Sequence, residues 1–304
     1  MTLPLKLSAE VAEARAAGAP LVALESTIIT HGMPWPQNAG TARAVEQEVR
    51  DAGAVPATIA VLEGEIHVGL ADAQLQALAR AQDVRKLSRA DLAHCLARGE
   101  TGATTVAATM ICARLAGIAV FATGGIGGVH RGAAESFDIS ADLQELARSP
   151  LTVVAAGAKA ILDLPKTLEV LETLGVPVIA WRQDGFPAFW SRRSGLAAPL
   201  RADSAEEIAA AHRMRAALSL PGGQLVANPV PAEAEIPRGE IEPAIERALA
   251  EAEAGGIAGK GLTPFLLSRI FELTGGRSLA CNIALVRSNA RLAAAIARAL
   301  AEAR

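Results

Sequence analysis

Tyrosine is absent from the 304-residue chain, and its other aromatic residues are only six phenylalanines and three tryptophans. Surfaces that bind nucleic acids depend on aromatic side chains that stack on bases and on clustered lysine and arginine. This chain has no block of basic residues, and its formal net charge is -3. We therefore expect no nucleic-acid partner. A small anionic ligand is compatible with this composition, because a local pocket needs only a few basic groups.

Cysteine is also scarce, and the three that occur, Cys95, Cys112 and Cys281, are far apart with no CxxC spacing. Scattered cysteines in an odd number favour neither a disulfide framework nor a structural zinc site, and they are typical of a reducing compartment. Glycine or charge interrupts every apolar run before the roughly 20 residues that a membrane span requires. The first 18 residues contain no apolar signal-peptide core. These features predict a cytoplasmic protein with no membrane partner.

Short β-branched runs alternate with amphipathic segments along the chain. The predicted strands are 20–26, 57–64, 117–123, 151–157, 176–181 and 224–229. The predicted helices are 38–53, 71–81, 88–98, 104–116, 163–175, 203–219, 238–254, 263–274 and 278–303. This alternation predicts an α/β fold with a largely parallel sheet covered by helices on both faces. Since no linker or low-complexity run divides the sequence, we predict a single domain over residues 1–304.

Residues that follow strands are the first candidates for chemistry, because ligands of parallel α/β sheets bind at the carboxyl ends of the strands. This rule selects Glu25, Thr123, the loop 124–142, Lys159 and Asn228. Among them, the acidic side chain of Glu25 and the basic side chain of Lys159 suit catalysis. The rule does not say which of these positions share a site.

The loop begins with a glycine-rich string, ATGGIGGVHRG, over residues 122–132. It is not a dinucleotide-binding loop, because the G-x-G-x-x-G pattern would require glycine at His130. The string AGGIAGKG over 254–261 is not a P-loop either, because it lacks glycine at Ala254 and serine or threonine at Gly261. Two explanations stay open for the glycines at 124–128. They provide either tight turns with positive φ or backbone amides close to a ligand.

Four charged residues have both a functional and a structural interpretation. Asp138 and Asp142 can share a hard divalent cation, although two such aspartates are also typical of a solvated turn or a helix cap. Lys159 follows an apolar strand in VVAAGAKAILD, which suits a Schiff-base lysine, but its stem can equally extend to solvent. Glu25 ends the strand LVALES and can act as a general acid or cap the next turn.

Long strings of the sequence resemble the pseudouridine-5'-phosphate glycosidase family, whose relatives include the indigoidine synthase A group. The strings are ALESTIITHGMPWPQN (23–38), VRKLSRADL (84–92), GATTVAATM (102–110), FATGGIGGVHRGAAESFDISADLQEL (121–146), VVAAGAKAILDLPKTLEVLETLGVPV (153–178) and CNIALVRSNARLA (281–293). They extend from about residue 20 to the C-terminal helix and are much longer than ordinary motifs. The RSN of VRSN (286–289) is a mild variation from the family pattern.

The resemblance implies a three-layer α/β/α sandwich, a homotrimer, and reversible cleavage of the C–C glycosidic bond of pseudouridine 5'-phosphate to uracil and ribose 5-phosphate. It implies that Lys159 is the covalent nucleophile, Glu25 the proton donor, and Asp138 the ligand of one manganese ion per subunit. The residues implied to bind substrate are Lys86, Val106, Ser140, Ala141 and Asp142 at the phosphosugar, His130 beside the ribose, and Thr123 and Asn282 at the uracil edge.

Two other functions stay open. One is a different Schiff-base reaction on a phosphosugar, as in an aldolase or lyase. The other is a phosphosugar-binding protein without catalysis. The presence of both Glu25 and Lys159 argues against the second, because a binding protein requires neither a nucleophile nor an acid.

Overall fold

A computed structural model describes residues 3–257 and 259–302 of the chain. The strands are β1 Leu5–Leu7, β2 Leu21–Leu24, β3 Val55–Leu62, β4 Glu65–Val68, β5 Arg85–Leu87, β6 Gly102–Thr104, β7 Val120–Ala122, β8 Thr152–Ala155, β9 Val178–Trp181, β10 Leu200–Ala202 and β11 Gln224–Ala227. The α-helices are α1 Ala9–Ala16, α2 Thr27–Thr30, α3 Gln37–Asp51, α4 Asp72–Arg80, α5 Arg89–Ala97, α6 Val106–Ala116, α7 Ala133–Ser136, α8 Ala141–Leu146, α9 Leu164–Thr173, α10 Ala205–Ala217, α11 Arg238–Ala254, α12 Leu262–Leu273 and α13 Arg277–Ala301. Short 3₁₀ turns occur at Ala232–Ala234 and Gly259–Gly261.

The strands form one sheet in the order β1-β4-β3-β2-β7-β8-β11-β9-β10, and β6 branches from β3 and carries β5. Strand pairs are parallel except β3–β4 and β3–β6. The prediction of a largely parallel sheet is therefore confirmed.

The central strands β2, β7, β8 and β11 are buried along their whole length, which requires cover on both faces of the sheet. Helix α13 packs on β2, β7 and β8 and also contacts α3 and α10. On the opposite face, α6 packs against β2 and β3 and contacts α5 and α8. This arrangement confirms the expected three-layer α/β/α sandwich.

Ion pairs between a buried glutamate and two half-exposed arginines join the first long helix to the last one. Glu48 of α3 accepts hydrogen bonds from Arg287 (2.7 Å) and Arg291 (2.8 Å) of α13. Burial raises the pKa of Glu48, but the two guanidinium groups more than offset that effect, and the net pKa lies below its usual value. Glu48 therefore stays ionised and fixes α13 against α3.

Each predicted strand and helix has a counterpart, but several boundaries differ and short elements were not anticipated. The predicted helix 104–116 starts too early, because Gly102–Thr104 is a strand and Thr105 caps the helix through the Ala108 amide. The strands β1, β5, β6 and β10 have three residues each, too few to show a period. None of the described helices is both long enough and apolar enough to cross a lipid bilayer.

Candidate active site

A cleft of about 470 Å³ opens at the carboxyl ends of β2, β7 and β8, which are neighbours in the sheet. Of the predicted site residues, those that line it are Glu25, Lys86, Val106, His130, Asp138, Ser140, Ala141, Asp142, Lys159 and Asn282. Residues that come from distant parts of the sequence thus share one cavity. Thr123 is the predicted site residue that does not line it.

Glu25 follows β2 directly and is held by two hydroxyl groups. Thr27, the first residue of α2, donates to Oε2 of the carboxylate, and Thr123, which follows β7, donates to Oε1. Ser26 between them is fully buried and its hydroxyl lies 3.3 Å from that of Thr104. The backbone at Glu25 is therefore anchored, and the carboxylate orientation is fixed at the cleft wall.

Thr123 is only 1% exposed and lies behind Glu25. Its side chain is engaged with the carboxylate rather than open to the cleft. The geometry therefore assigns Thr123 a contact with Glu25, and its direct contact with uracil stays a prediction.

Lys159 lies on the loop that follows β8, at the cleft floor. Gly157 provides a left-handed turn (φ +79°), after which the Lys159 amide donates to the Ile126 carbonyl at 3.1 Å. A parallel bridge between Ile126 and Ala158 joins this loop to the glycine-rich loop. Among the described residues, no carboxylate forms a salt bridge with Lys159. Its ammonium or amine group is consequently free to meet a ligand.

The glycines at 124–128 do not have positive φ, so the tight-turn explanation for them is wrong. Neighbouring side chains pack directly on their backbone instead. A Cβ at Gly125 would lie 2.6 Å from the Phe189 ring, and one at Gly127 would overlap the Ser140 hydroxyl. Glycine is required here because the loop is enclosed by the walls of the cleft.

Asp142 is a structural carboxylate. Its Oδ1 accepts a hydrogen bond from the Ala107 amide (2.9 Å) in the first turn of α6, and its Oδ2 accepts one from the Gly127 amide (2.8 Å). Both oxygens are therefore occupied by backbone donors. The suggestion that Asp138 and Asp142 share a cation stays a prediction.

Two helices begin at the cleft wall near these residues. Val106 and Ala141 are the first residues of α6 and α8, capped by Thr105 and Ser140. The Ser140 hydroxyl accepts from the Asp142 amide at 3.2 Å. Backbone amides at helix starts attract anions, so this wall suits a phosphate group.

His130 lies between charged residues of opposite sign. Burial lowers its pKa, the Asp138 carboxylate opposes that effect, and the positive charges of Lys159 and Lys86 add to it. The imidazole is therefore neutral at physiological pH. Its backbone amide donates to the Asp138 carbonyl at 3.0 Å, which connects the two ends of the loop.

Asp138, which the family resemblance implies as the metal ligand, is half-buried and lines the cleft together with Glu25, Asp91 and Asp142. In the described part of the chain, no group of three or more His, Cys, Asp or Glu side chains is arranged to hold a metal ion. A preformed protein cage for a cation is thus not present in that part.

Lys86 is the central residue of β5 and reaches the cleft next to His31. Burial lowers the pKa of His31, and the charge of Lys86 lowers it further. The His31 Nδ1 lies 2.6 Å from the Thr30 hydroxyl. The lowered pKa keeps the His31 imidazole neutral at physiological pH, so it adds no positive charge beside Lys86.

Sequence reasoning missed several cleft residues. Phe189, on the loop after β9, lines the cleft, and the next residue, Trp190, donates a hydrogen bond at 2.7 Å to Asn282, which the family resemblance had indicated. The helix α12 contributes Thr263, Pro264 and Leu267 to the cleft. No local pattern marks these positions, because they meet the cleft only through tertiary packing.

Asn228, which the strand-end rule also selected, lies outside this cleft. It is 5% exposed, and its amide donates to Ser288 (3.1 Å) and Asn289 (2.9 Å) of α13. Helix α13 covers this strand end, so the Asn228 side chain contacts that helix rather than the cleft. The rejected P-loop string 254–261 includes Ala258, which lies outside the described residues.

The family described as indigoidine synthase A like protein matches residues 10–299. The chain belongs to this family. Among curated members, a pseudouridine-5'-phosphate glycosidase from Jannaschia sp. is 74% identical over 300 residues, covering 99% of both chains. The enzyme of the same name from Paracoccus denitrificans is 72% identical over 299 residues, covering 98% of both chains.

Solved structures of indigoidine synthase A relatives have the same fold. The prealnumycin C-glycosynthase AlnA, in complex with ribulose 5-phosphate, is 38% identical with a TM-score of 0.92, covering 100% of this chain and 99% of its own. An indigoidine synthase A-like protein from Thermotoga maritima is 36% identical with a TM-score of 0.89, covering 98% of this chain and 97% of its own. The resemblance read from the sequence strings is thus confirmed at the level of the family.

Proposed function

We propose that the chain is an enzyme that reversibly cleaves the C–C glycosidic bond of pseudouridine 5'-phosphate, giving uracil and ribose 5-phosphate. The observation that carries this proposal is the meeting of Glu25 and Lys159 in one cleft, on loops that follow β2 and β8, the two strands on either side of β7. The highly similar relatives named pseudouridine-5'-phosphate glycosidase support it. The AlnA structure, which contains ribulose 5-phosphate, supports a phosphosugar in this fold.

Lys159 is proposed as the nucleophile. A C–C glycoside has no leaving oxygen that an acid can protonate, so the carboxylate pair of an ordinary glycosidase does not suffice. When the ribose ring opens, the amine of Lys159 bonds to C1'. After the uracil carbon C5 gains a proton, which uses the C5=C6 double bond, the nitrogen lone pair forms an iminium as the C1'–C5 bond breaks, and the electron pair of that bond re-forms the C5=C6 double bond of the departing uracil. Water then adds to the iminium and releases ribose 5-phosphate and the free amine.

Glu25 is proposed to move protons at the sugar and the base. Its carboxylate lies at the same cleft as Lys159 and is oriented by Thr27 and Thr123. A general acid must first lie within hydrogen-bond reach of the atom that it protonates, and its pKa matters only after that. Microscopic reversibility gives Glu25 the opposite proton transfers in the synthetic direction.

The phosphate is proposed to lie against the wall formed by Lys86, Ser140 and the first residues of α6 and α8. Backbone amides of Val106 and Ala141 at helix starts and the charge of Lys86 suit a doubly charged group. Asp142 supports this wall by holding the α6 start and the glycine-rich loop together.

One manganese ion per subunit is part of the proposal, with Asp138 as its protein ligand. A single carboxylate suits a hard cation that is held jointly by one protein group, water and substrate phosphate. Asp138 fits that description because it is half-buried and lines the cleft. When bound, the ion would neutralise phosphate charge. We further propose that the enzyme is a homotrimer and that it is located in the cytoplasm.

Trapping of the covalent intermediate tests the mechanism. Purified protein with manganese and pseudouridine 5'-phosphate is expected to release uracil, measured by ultraviolet absorbance. Borohydride added during turnover is expected to fix a pentose phosphate on Lys159, detected by peptide mass spectrometry. Lys159→Arg should abolish both signals, whereas Lys166→Arg, which alters an exposed residue paired with Asp163, should leave them intact. An adduct at another residue would contradict the proposed nucleophile, and a protein that binds phosphosugar without releasing uracil would contradict the enzymatic function.

A further inference from the structure

The side chain of Trp190 is fixed by two acceptors on the helix α13. Its Nε1 donates to Asn282 Oδ1 at 2.7 Å and to the Ser278 carbonyl at 3.2 Å. The indole is 1% exposed, and the Phe189 ring packs edge-on against it at 5.0 Å between centroids. Its own carbonyl accepts from the Ile236 amide at 3.0 Å. Trp190 therefore has little freedom to reorient.

The hydrogen bond between Trp190 and Asn282 determines which way the Asn282 amide faces. An indole N–H can only donate, so the atom that it meets must be the amide oxygen. The amide nitrogen is then the atom left for a ligand, since Asn282 lines the cleft. Among the described residues, Asn282 Nδ2 has no hydrogen-bond partner. The cleft thus presents a donor, and not an acceptor, at this position.

We propose that Trp190 is a positioning residue. It orients the Asn282 amide so that the N–H₂ group donates to a carbonyl oxygen of the base, and this contact selects the base. An exocyclic amine at the same place on the base would meet the Asn282 N–H₂ group donor to donor. The site would therefore accept a base with a carbonyl and reject its amino analogue. This inference rests on the proposed function, because it concerns the base that leaves in that reaction.

The first measurement compares three C-nucleotides that differ only in the base edge. These are pseudouridine 5'-phosphate, its 4-amino analogue pseudocytidine 5'-phosphate, and its 2-amino analogue pseudoisocytidine 5'-phosphate. Wild-type kcat/KM for at least one amino analogue is expected to be lower by about a hundredfold or more, because a buried donor left unpaired is costly. Equal values for the three substrates would contradict the proposal.

Trp190→Phe removes the donor and retains an aromatic ring. The Asn282 amide can then rotate and present its oxygen, so the discrimination against the amino analogue should fall by about tenfold or more. Trp181→Phe is the matched control, because Trp181 packs against Arg182 and does not line the cleft. It should leave the discrimination unchanged. If Trp190→Phe lowers kcat/KM for all three substrates by one common factor, Trp190 acts through packing alone and the proposal is wrong.

Asn282→Asp provides a second variant of nearly the same shape. One carboxylate oxygen can still accept from Trp190, and the other presents an acceptor to the base. Turnover of pseudouridine 5'-phosphate should fall by about a hundredfold, and the preference should shift toward the amino analogue. Retained preference for the carbonyl form would contradict the proposed orientation.

A measurement without turnover separates this inference from the proposed function. In a ¹H–¹⁵N spectrum, Asn282→Ala should move the indole N–H resonance that Trp190→Phe removes. Uracil, added with ribose 5-phosphate, should shift the Asn282 side-chain amide resonances more than cytosine does. Failure of the wild type to cleave pseudouridine 5'-phosphate would overturn the proposed function, whereas an unmoved indole resonance or an equal response to both bases would overturn the role of Trp190.

Discussion

Asp138 and Asp142 are four positions apart, yet their carboxylates have different surroundings. Asp142 accepts backbone hydrogen bonds from Ala107 and Gly127, whereas Asp138 lies half-buried at the cleft. Asp142→Asn should lower the free energy of unfolding by about 1.5–3 kcal/mol, because an amide nitrogen cannot accept from the second backbone donor. Asp138→Asn is the matched control and should change it by less than about 0.5 kcal/mol. Urea denaturation measures both, and equal losses would show that Asp142 has no special structural role.

The two hydroxyl groups at Glu25 give a prediction about turnover. Thr27→Val and Thr123→Val should each lower kcat by about tenfold, because one hydrogen bond that orients the carboxylate is lost. KM for the phosphosugar should change little, since neither threonine belongs to the proposed phosphate wall. Thr173→Val, which removes a hydroxyl exposed at the end of α9, serves as the control. A changed preference for the base in Thr123→Val, with kcat intact, would instead favour the predicted contact between Thr123 and uracil.

The glycine-rich loop is the element whose packing is least tolerant of added volume. Gly125→Ala and Gly127→Ala should each destabilise the protein by about 1–3 kcal/mol, because Phe189 and Ser140 occupy the space of the new methyl group. Turnover should fall with stability, since the loop borders the cleft. Gly239→Ala near the start of α11 meets no atom within 4 Å and should cause no loss. Thermal unfolding and steady-state rates of the three variants test this, and tolerance of alanine at Gly127 would show that the loop can move away from Ser140.

Among the strands, burial of both faces determined which ones could be predicted from the sequence. Strands such as Leu21–Leu24 and Thr152–Ala155 were recognisable because both of their faces are covered, which requires an uninterrupted apolar run. The strand Arg85–Leu87 was not recognisable, because three residues with two cations carry no such signal. Yet this strand carries Lys86, which only the family resemblance indicated.

In the candidate site too, the sequence predicted some residues and not others. Glu25 and Lys159 follow buried strands, so the strand-end rule found both. The rule also selected Asn228, which α13 covers, because a single sequence does not show which strand ends remain open. The contact between Trp190 and Asn282 joins residues 92 positions apart and has no local pattern.

For the whole molecule, partly buried histidines predict how stability depends on pH. Burial is the largest cause that lowers the pKa of His31, His67, His130 and His212. Between the lowered pKa and the ordinary histidine pKa of 6.5, the unfolded chain binds more protons than the folded one. Stability should therefore decrease as the pH falls below about 6.5.

His212 provides the test of this pH dependence. It lies far from the cleft, and its Nδ1 is 3.0 Å from the Thr152 hydroxyl. Between pH 6.5 and pH 5, the free energy of unfolding of the His212→Asn variant should decrease less than that of the wild type. Urea denaturation at each pH measures it. Above pH 7 the variant and the wild type should have parallel curves. An equally steep fall in both proteins would exclude His212 as a contributor.

The order of the strands also determines when the cleft can exist during synthesis of the chain. Glu25 meets Thr123 across 98 residues, and Asn282 and Leu285 reach the cleft from α13, the last helix. A ribosome-bound chain that has not yet released α13 lacks a complete cleft, although it already contains Lys159. Parallel pairings over such separations form slowly, because long loops must close first. The proposed nucleophile Lys159 is thus assembled into its cleft only once translation is nearly finished, so a nascent chain does not present a formed cleft to free small molecules.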